Sequence, residues 1–260
     1  MGNEPLSTVD WSNMVGPLSV IGADGHVASF LGTGFVAAAS EPVFVTAGHL
    51  IRDNPLDAGE RYHMLFQAPD GEPIHLVATA EATCVSTTYD VAAIRLGGWP
   101  NVRALSLDPI EIPSNEMVAC REYSGNSFYR DAGTGMRRLK LRPRNHVGNV
   151  MSWYTSDFPE RHPAPSCDLS FPALQGASGA PVLRDLMLSV VAILVANVEQ
   201  QLEPAQVLSV HSEEGRIEET RYFLPIGKGL SASAIVEFLE KECGVSCMPA
   251  PPRYLPGELT

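Results

Sequence analysis

Three short segments of the chain each carry a residue type that takes part in acyl transfer. Ser178 lies in the sequence QGASGAP, where Gly176 and Gly179 predict a sharp turn that presents the hydroxyl. His49 follows the apolar run VFVTAG, so a strand delivers its imidazole into a turn of small residues. Asp90 directly precedes the apolar run VAAIRL, which places a carboxylate at the start of a buried strand. An alcohol, an imidazole and a carboxylate are the parts of a serine nucleophile activated by a general base.

Each of these residues, taken alone, also has a purely structural interpretation. A serine between glycines is usually a turn residue, and short motifs often match by chance. Asp53 and Asp57 follow His49 in polar loop sequence that is typical of solvated carboxylates. The remaining six histidines lie in strands or polar loops without comparable delivery, and are expected to be structural or solvated: His26, His63, His75, His146, His162 and His211.

The elements that must position these residues are mostly short β-rich runs separated by Gly, Pro, Ser and Asp. The chain holds 22 glycines and 21 prolines, and most of them fall between such runs. The predicted strands lie at 17–22, 26–39, 42–48, 61–68, 74–86 and 91–96, and again at 116–123, 137–143, 146–154, 180–185, 188–198 and 220–226. About six strands in each half predict two closed or nearly closed β-barrels packed side by side.

One segment predicts a helix, the sequence SASAIVEFLEKEC at 231–243. It has an apolar stripe at helical spacing, Ser231 or Ser233 as N-cap, and Gly244 where a C-cap belongs. The Pro-rich tail at 245–260 is expected to be extended or loosely docked.

Together, the segments TAGH, DVAAIRL and GASGAP resemble, in this order, the motifs of the chymotrypsin-like (trypsin-like) serine peptidases. The sequence GTGFV at 32–36 is similar to the strand that precedes the histidine in bacterial members. The resemblance runs from about residue 15 to residue 243. It implies an all-β fold of two six-stranded Greek-key β-barrels with a C-terminal α-helix. The expected divisions are an N-terminal extension at 1–14, barrels at 15–110 and 111–230, the helix at 231–244 and the tail at 245–260.

The resemblance also implies a serine endopeptidase that hydrolyses peptide bonds through an acyl-enzyme. His49 is the expected general base, Asp90 its orienting acid and Ser178 the nucleophile. The backbone N–H groups of Gly176 and Ser178 are expected to form the oxyanion hole. The expected substrate-binding walls are Pro172, Ala173, Leu174 and Gln175 on one side and Val195, Ala196 and Asn197 on the other.

Three positions depart from the family pattern. Ala177 stands where zymogen-activated members carry an aspartate, which argues against activation by a newly cleaved amino terminus. Ala180 replaces a commoner glycine. Pro172 stands near the position where trypsins carry an aspartate, so a small or apolar P1 residue is expected rather than Arg or Lys.

Charge and cysteine usage restrict the partners and the compartment. A net charge of −12 and a pI near 5.0 argue against nucleic acid or an anionic membrane as the main partner. The five cysteines include no CxxC pair, so free thiols in a reducing cytoplasm are expected, with no metal and no cofactor. No apolar run reaches the length of a membrane span, and the first residues lack the features of a secretory signal.

Two alternative functions stay open. A catalytically inactive, peptidase-like binding module would keep the fold, and Ala177 with Ala180 is its only support in the sequence. An esterase of the α/β-hydrolase class would need the order Ser, acid, His and a helix after the serine, both of which the sequence opposes. Regulation of a peptidase is expected to involve a protein partner or ordering of a loop at 121–137 or 199–220.

A basic cluster stands out in this acidic chain. It is expected to be a solvated strand face, with docking of an acidic partner as the alternative, and it comprises Arg137, Arg138, Lys140, Arg142 and Arg144.

Overall fold

Strands make up most of the computed structural model. The described residues are 11–68, 70–124, 126–130, 133, 137–156, 163–184, 188–202, 210–211, 217–218 and 222–248. Most of the expected N-terminal extension and tail, and parts of the loops at 121–137 and 199–220, lie outside them. The first half has β1 (Val15–Ile21), β2 (Val27–Ala37), β3 (Val43–Ala47), β4 (Arg61–Gln67), β5 (Pro73–Ala78), β6 (Thr83–Val85) and β7 (Val91–Arg95). The rest has β8 (Ser106–Leu107), β9 (Met117–Glu122), β10 (Ser127–Arg130), β11 (Arg137–Lys140), β12 (Arg144–Ser156), β13 (Ala164–Leu169), β14 (Pro181–Arg184), β15 (Ser189–Leu202), β16 (Val210–His211), β17 (Ile217–Glu218) and β18 (Tyr222–Ser231).

Two α-helices and two short 3-10 turns complete these elements among the described residues. The helices are α1 (Gly48–Arg52), which directly follows β3, and α2 (Ala232–Lys241), which follows β18. The 3-10 turns are Trp11–Asn13 and Ala80–Ala82. No helix in the described part of the chain is long and apolar enough to cross a membrane.

The first seven strands form one curled antiparallel sheet in the order β5-β4-β1-β2-β3-β7-β6. Strand β4 shows why this sheet has a buried face, because Tyr62, Met64 and Phe66 are buried while the alternate residues are not. These side chains share a core with Phe44 from β3 and Ile94 from β7 of the same curled sheet. Alternation of buried and more exposed residues along β4 therefore supplies part of the first core.

The second half closes into a six-stranded barrel. Its strands run in the order β14-β9-β12-β13-β18-β15, and pairing of β15 with β14 completes the ring. Strand β8 adds to β15 in parallel. Inside lies a core that includes Val118, Val150, Leu169 and Val182. This half matches the predicted barrel, whereas the outer strands β5 and β6 of the first sheet do not pair with each other in the described structure.

A third cluster joins the two halves and the C-terminal helix. It contains Phe35 and Val45 from the first sheet, Leu183 and Leu230 from the second, and Phe238 from α2, all of them buried. The seam between the halves is thus an apolar core of its own, and α2 is part of it. The predicted helix is confirmed, as is its N-cap.

The cap geometry of α2 explains its boundaries. The Ser231 side chain accepts a hydrogen bond from the N–H of Ser233 at 3.2 Å, which satisfies one of the free donors of the first turn. Gly244 has a φ of 69°, the left-handed conformation that ends many helices. The chain after α2 then turns back toward the first sheet.

The strand prediction omits the short strands β8, β10, β16 and β17, and it differs from the structure in two longer segments. The run 74–86 divides into β5, the 3-10 turn Ala80–Ala82 and β6, because its central TAEA sequence lacks the β-branched and aromatic residues that favour strands. Strand β13 was not predicted, since APSCDL has a proline and little apolar alternation. Pairing of β13 with β12 and β18 makes it a strand, so tertiary context decides the conformation there.

Candidate active site

The expected base and its acid lie beside two neighbouring strands of the first sheet, His49 in the first turn of α1 after β3 and Asp90 directly before β7. Strands β3 and β7 pair antiparallel, and Ala47 opposite Val91 is the pair nearest the site. His49 is the second residue after β3 and Asp90 directly precedes β7, so the two residues meet at this end of the strand pair. His49 Nδ1 lies 2.8 Å from Asp90 Oδ2, and the His49 backbone N–H donates to Asp90 Oδ1, also at 2.8 Å.

These two bonds fix the imidazole in one tautomer and one orientation. A carboxylate only accepts, so in the neutral imidazole the proton is on Nδ1 and the lone pair is on Nε2. The side chains are 25% and 11% exposed for His49 and Asp90. The Arg52 guanidinium is 4.0 Å from Asp90 Oδ1 and adds a positive charge on that side. The arrangement is a base with an open acceptor atom and a mostly buried acid behind it.

Gly48 makes the approach of the two strands possible. A Cβ at this position would lie 2.8 Å from the Val91 nitrogen and 3.0 Å from the Val91 carbonyl oxygen, both closer than van der Waals contact allows. Any side chain would therefore push the turn that carries His49 away from β7. The glycine of the TAGH segment is thus needed for the contact between His49 and Asp90.

Two successive β-turns, at 174–177 and 177–180, carry Ser178 in the second of them. The closing N–H to carbonyl bonds are 2.8 Å and 2.9 Å long. The third residue of each turn is a glycine with positive φ, 96° at Gly176 and 85° at Gly179. Such a φ at the third position defines a type II turn and explains why glycine is needed twice. Ser178 is the second residue of the second turn and is half-buried.

Thr33, in the GTGFV segment of β2, anchors this pair of turns to the first sheet. Its N–H donates to the Ser178 carbonyl at 2.9 Å, and its hydroxyl donates to the Gly176 carbonyl at 2.8 Å. The same hydroxyl accepts from the Tyr123 N–H at 3.1 Å, and the Thr33 carbonyl accepts from the Thr46 hydroxyl at 2.7 Å. Thr33 is fully buried, so each of its polar atoms is satisfied by protein.

These contacts bring the Ser178 turn against the end of β3. A Cβ on Gly179 would lie 2.1 Å from the Thr33 carbonyl oxygen and 2.9 Å from the Ala47 nitrogen, two positions before His49. Among the described residues, no hydrogen bond joins the Ser178 hydroxyl to the imidazole. The structure thus bonds His49 to Asp90 directly and places the Ser178 backbone beside the strand that carries His49.

Two backbone donors beside Ser178 have no acceptor within the described part of the chain. They are the N–H groups of Gly176 and Ser178, the pair expected to form an oxyanion hole. Their neighbours are bonded, since the N–H of Ala177 donates within its turn and the N–H of Gly179 donates to the Leu194 carbonyl. The turns leave these two donors available to an anionic oxygen.

The expected substrate-binding residues lie on two nearby segments. The residues of the first segment precede the Ser178 turn and are half-buried, except for the exposed Gln175. They are Pro172, Ala173, Leu174 and Gln175. Val195 and Ala196 are half-buried on β15, and Asn197 is on the same strand, with a side chain outside the described residues.

Gly227 on β18, which the sequence reasoning did not identify, connects the two segments. It pairs with Asn197, and its N–H donates to the Phe171 carbonyl at 2.9 Å. A Cβ there would lie 2.5 Å from the Phe171 oxygen and 3.3 Å from the Ala173 nitrogen. The two walls are therefore close enough together to exclude a side chain at 227. The only sequence signal is a glycine inside the strand text LPIGKGL.

The His146 side chain, expected to be structural or solvated, contacts Glu122 and Phe171, the residue directly before the wall at 172–175. His146 Nε2 is 2.9 Å from Glu122 Oε1, and Glu122 is fully buried. The imidazole also stacks on Phe171, with ring centroids 5.5 Å apart and an angle of 13° between the planes. Its role is to support Phe171, and hence the wall that begins at Pro172.

Comparison with known proteins agrees with this geometry at the level of fold. No protein-family model and no curated protein sequence matches the chain. Among solved structures, the active form of the Rv3671c protease from M. tuberculosis has a TM-score of 0.54 at 16% identity, covering 92% of this chain and 84% of that one. The inactive form of the same protease has a TM-score of 0.51 at 15% identity, covering 89% of each chain.

A further similar structure is the HtrA-type protease AlgW with a decapeptide. The TM-score is 0.53 at 13% identity, and the match covers 90% of this chain and 65% of AlgW. This chain therefore spans about two thirds of that protein. All three structures are of proteases, and this chain shares with them a two-barrel, chymotrypsin-like fold.

Proposed function

We propose that this protein is a serine endopeptidase that uses His49, Asp90 and Ser178 as its catalytic triad. The observation that carries the proposal is the Asp90 carboxylate, which bonds both the backbone and the imidazole of His49 at 2.8 Å. The nucleophile turn lies against the strand that delivers this histidine. An imidazole with Nδ1 bound to a carboxylate has its Nε2 ready to accept a proton.

In the proposed reaction, the Ser178 hydroxyl oxygen attacks the carbonyl carbon of the scissile peptide bond. His49 Nε2 takes the hydroxyl proton and then gives it to the leaving amine, and Asp90 stabilises the imidazolium that forms between these steps. The oxyanion receives hydrogen bonds from the N–H groups of Gly176 and Ser178. A water molecule, deprotonated by His49, then hydrolyses the acyl-enzyme.

We propose that the substrate is an extended peptide that pairs with β15 at Val195–Asn197. One edge of β15 in this stretch is occupied by β18. On the other edge, pairing with β14 ends at Ile193, and the last backbone contact, between Leu194 and Ala180, lies directly before Val195. A strand edge beside a nucleophile suits main-chain pairing with a peptide. The similar AlgW structure contains a decapeptide.

A small or apolar P1 residue is part of the proposal. The walls are joined by the close approach of Gly227 to Phe171 and Ala173, and the first wall begins with Pro172. The described residues of the two walls carry no charged side chain that would pair with Arg or Lys. Peptide-library profiling of the purified protein gives the P1 preference directly.

Regulation and location complete the proposal. We propose that a protein partner or the ordering of a loop controls the activity, and that the enzyme works in the reducing cytoplasm. All five cysteines are free thiols, which fits a reducing compartment.

The test is the variant Ser178→Ala, with Ser152→Ala on β12 as a matched control. We expect Ser178→Ala to lose peptide cleavage and labelling by a fluorophosphonate probe while its melting temperature stays unchanged, and Ser152→Ala to keep both activities. Cleavage by Ser178→Ala at the parent rate would show that the assignment is wrong. A folded parent protein that neither cleaves nor reacts would instead identify an inactive, peptidase-like binding module.

A further inference from the structure

The segment that leads into Asp90 is held by the C-terminal end of α2. Glu242 directly follows this helix, and its carboxylate accepts from the Ser86 hydroxyl at 2.6 Å and from the Thr87 N–H at 3.0 Å. The Ser86 oxygen accepts in turn from the N–H groups of Thr88 at 3.1 Å and Tyr89 at 3.0 Å. The Glu242 carboxylate thus holds the four consecutive residues 86–89, and its direct partners Ser86 and Thr87 lie 156 and 155 positions before it.

Ser86 is the residue through which this contact reaches the acid. It is 4% exposed, and its N–H donates to the Val91 carbonyl at 3.0 Å. This bond closes a loop that contains Asp90, so Ser86 and Val91 hold the two ends of the segment that carries the carboxylate. A displacement of Ser86 therefore moves Asp90 relative to His49.

A second bond comes from the same helix. The Tyr89 hydroxyl donates to Glu237 Oε2 at 2.8 Å, and Lys241 pairs with the other Glu237 oxygen at 2.7 Å. Burial, followed by the hydrogen bond to Glu237, raises the pKa of Tyr89 to about 12, so the hydroxyl keeps its proton at physiological pH. The residue immediately before Asp90 is consequently fixed at its side chain as well as its backbone.

The end of α2 is also attached to the rest of the first sheet. The Arg95 guanidinium donates to the Cys243 carbonyl and pairs with Glu41. The Ser40 N–H donates to the Ser246 carbonyl at 2.7 Å. The helix terminus therefore has a fixed position on the sheet that carries Asp90, and can act as a rigid support for the loop.

We propose that Glu242 is a positioning residue that orients Asp90, and through it His49, by holding the loop at 86–89. The Tyr89 to Glu237 bond assists it. The inference rests on the proposed function of Asp90 and His49, because it explains how the C-terminal helix sets the geometry of that pair. The residues that touch substrate remain those of the triad, and Glu242 acts through Ser86.

The experiment compares Glu242→Ala with Glu240→Ala, which removes an exposed glutamate two positions earlier at the same helix end. We expect Glu242→Ala to lower kcat about 10-fold to 100-fold with KM within about twofold, since a small displacement of a catalytic group has an effect of this size. Glu240→Ala should leave both constants unchanged. Glu242→Gln, which keeps one acceptor oxygen, should restore part of the lost kcat.

A second readout does not depend on peptidase activity. The His49 Nδ1 proton, bound to Asp90, gives a low-field proton NMR resonance, which is assigned by its loss in His49→Ala. We expect this resonance to broaden in Glu242→Ala through faster exchange with water, and to stay sharp in Glu240→Ala. The proposal is overturned if Glu242→Ala keeps the parent kcat and a sharp resonance. It is also overturned if kcat falls only in proportion to lost folded protein.

Two further outcomes are also decisive. If Glu242→Ala does not fold, Ser86→Ala removes the hydroxyl through which Glu242 acts and leaves Glu242 in place, and a sharp resonance with unchanged kcat in that variant contradicts the proposal. If the parent protein has no peptidase activity, the proposed function fails, but broadening of the resonance in Glu242→Ala still supports the positioning role and an unchanged resonance refutes it.

Discussion

The acid–base pair and the nucleophile turn are held in place by different kinds of contact. His49 and Asp90 meet because β3 and β7 are adjacent strands of one sheet, and their side chains bond each other directly. The Ser178 turn belongs to the other half of the molecule and is held by Thr33, which lies 143 positions before Gly176. One part of the site is therefore built within a sheet, and the other depends on how two sheets dock.

This difference predicts separable failures. Damage at the seam should disturb the nucleophile turn and leave the bond between His49 and Asp90 intact. Damage inside the first sheet should weaken the bond between His49 and Asp90 and leave the Ser178 turn in place. Two measurements distinguish the cases, since the rate of fluorophosphonate labelling reports on Ser178, whereas the low-field Nδ1 proton resonance reports on the acid–base pair.

The largest expected effect comes from Asp90→Asn. The amide cannot accept from Nδ1 in the way that the carboxylate does, and it favours the wrong imidazole tautomer, so we expect kcat to fall about 10⁴-fold without loss of fold. Steady-state kinetics and circular dichroism measure this. The control is Asp53→Asn, an exposed acid just after α1, which should stay within about twofold of the parent. Equal losses in both variants would contradict the assignment of Asp90.

Gly179→Ala has the next largest expected effect, because it disturbs the packing of the Ser178 turn against the first sheet. The new Cβ would lie 2.1 Å from the Thr33 oxygen and 2.3 Å from the Thr46 hydroxyl, at a φ of 85° that L-residues avoid. We expect a loss of about 3 kcal/mol or more in the free energy of unfolding, together with slow probe labelling and a retained Nδ1 proton resonance.

The matched control for Gly179→Ala is Gly25→Ala. Gly25 has a similar φ of 79°, but nothing lies within 4 Å of its added Cβ. Only backbone strain of about 1–2 kcal/mol should remain there, with normal labelling by the probe. If chemical denaturation gave the same loss for both variants, the collision with Thr33 would have no energetic role.

Thr33→Val should have a moderate effect that is concentrated in kcat. The change keeps the volume, but removes two buried hydrogen bonds of the Thr33 hydroxyl, one to the Gly176 carbonyl and one from the Tyr123 N–H, at about 1–3 kcal/mol for each lost bond. We expect kcat to fall about 10-fold to 100-fold, since the Gly176 peptide carries one of the proposed oxyanion donors.

Thr46→Val serves as the control for Thr33→Val. Its hydroxyl makes a single bond, to the Thr33 carbonyl, and it is equally buried. Stability should fall, but kcat should fall much less, because both Thr33 bonds to the nucleophile turn remain. Equal kcat values for the two variants would show that Thr33 does not position the turn.

The same contrast explains what the sequence could predict. The motifs around His49, Asp90 and Ser178 are local, and each combines a strand or turn pattern with a chemically suitable residue, so these candidates were accessible. The helix at 231–243 and its Ser231 cap were predicted for the same reason, since apolar period and cap chemistry are properties of a few adjacent residues.

The residues that were not predicted act through distant contacts. Thr33 is visible in the sequence only as part of a motif, because its four bonds connect segments up to 178 − 33 = 145 positions apart. In the sequence, Glu242 is an ordinary acidic residue at the end of a helix, and its bonds to Ser86 and Thr87 are seen only in the structure. Gly227 is one glycine among 22, and only the packing of Phe171 against it shows why a side chain cannot stand there.

The smallest expected effect concerns the pH dependence of stability. It arises on the outer face of the first sheet, away from His49, Asp90 and the Ser178 turn. His63 Nε2 is 2.9 Å from His75 Nδ1, and the two rings stack at the side of a cavity of about 380 Å³ that His26 also lines. Burial, and then the nearby His75, lower the pKa of His63 below its usual value of 6.5. The folded chain therefore binds this proton less readily than the unfolded chain does.

Because the pKa is lowered on folding, protonation favours the unfolded state as pH falls from the unfolded pKa toward the folded one. The stability of the parent should therefore decrease across this window, and His63→Gln should reduce the decrease. Urea denaturation at about pH 7.5 and about pH 5.5 measures the difference. His26→Gln, an exposed histidine at the same cavity, should keep the parent slope, and equal slopes in all three proteins would refute the role of His63. The kcat of His63→Gln at about pH 7.5 should match the parent. His63 and His75 lie on the paired strands β4 and β5, whereas the contact between His49 and Asp90 depends on the pairing of β3 with β7.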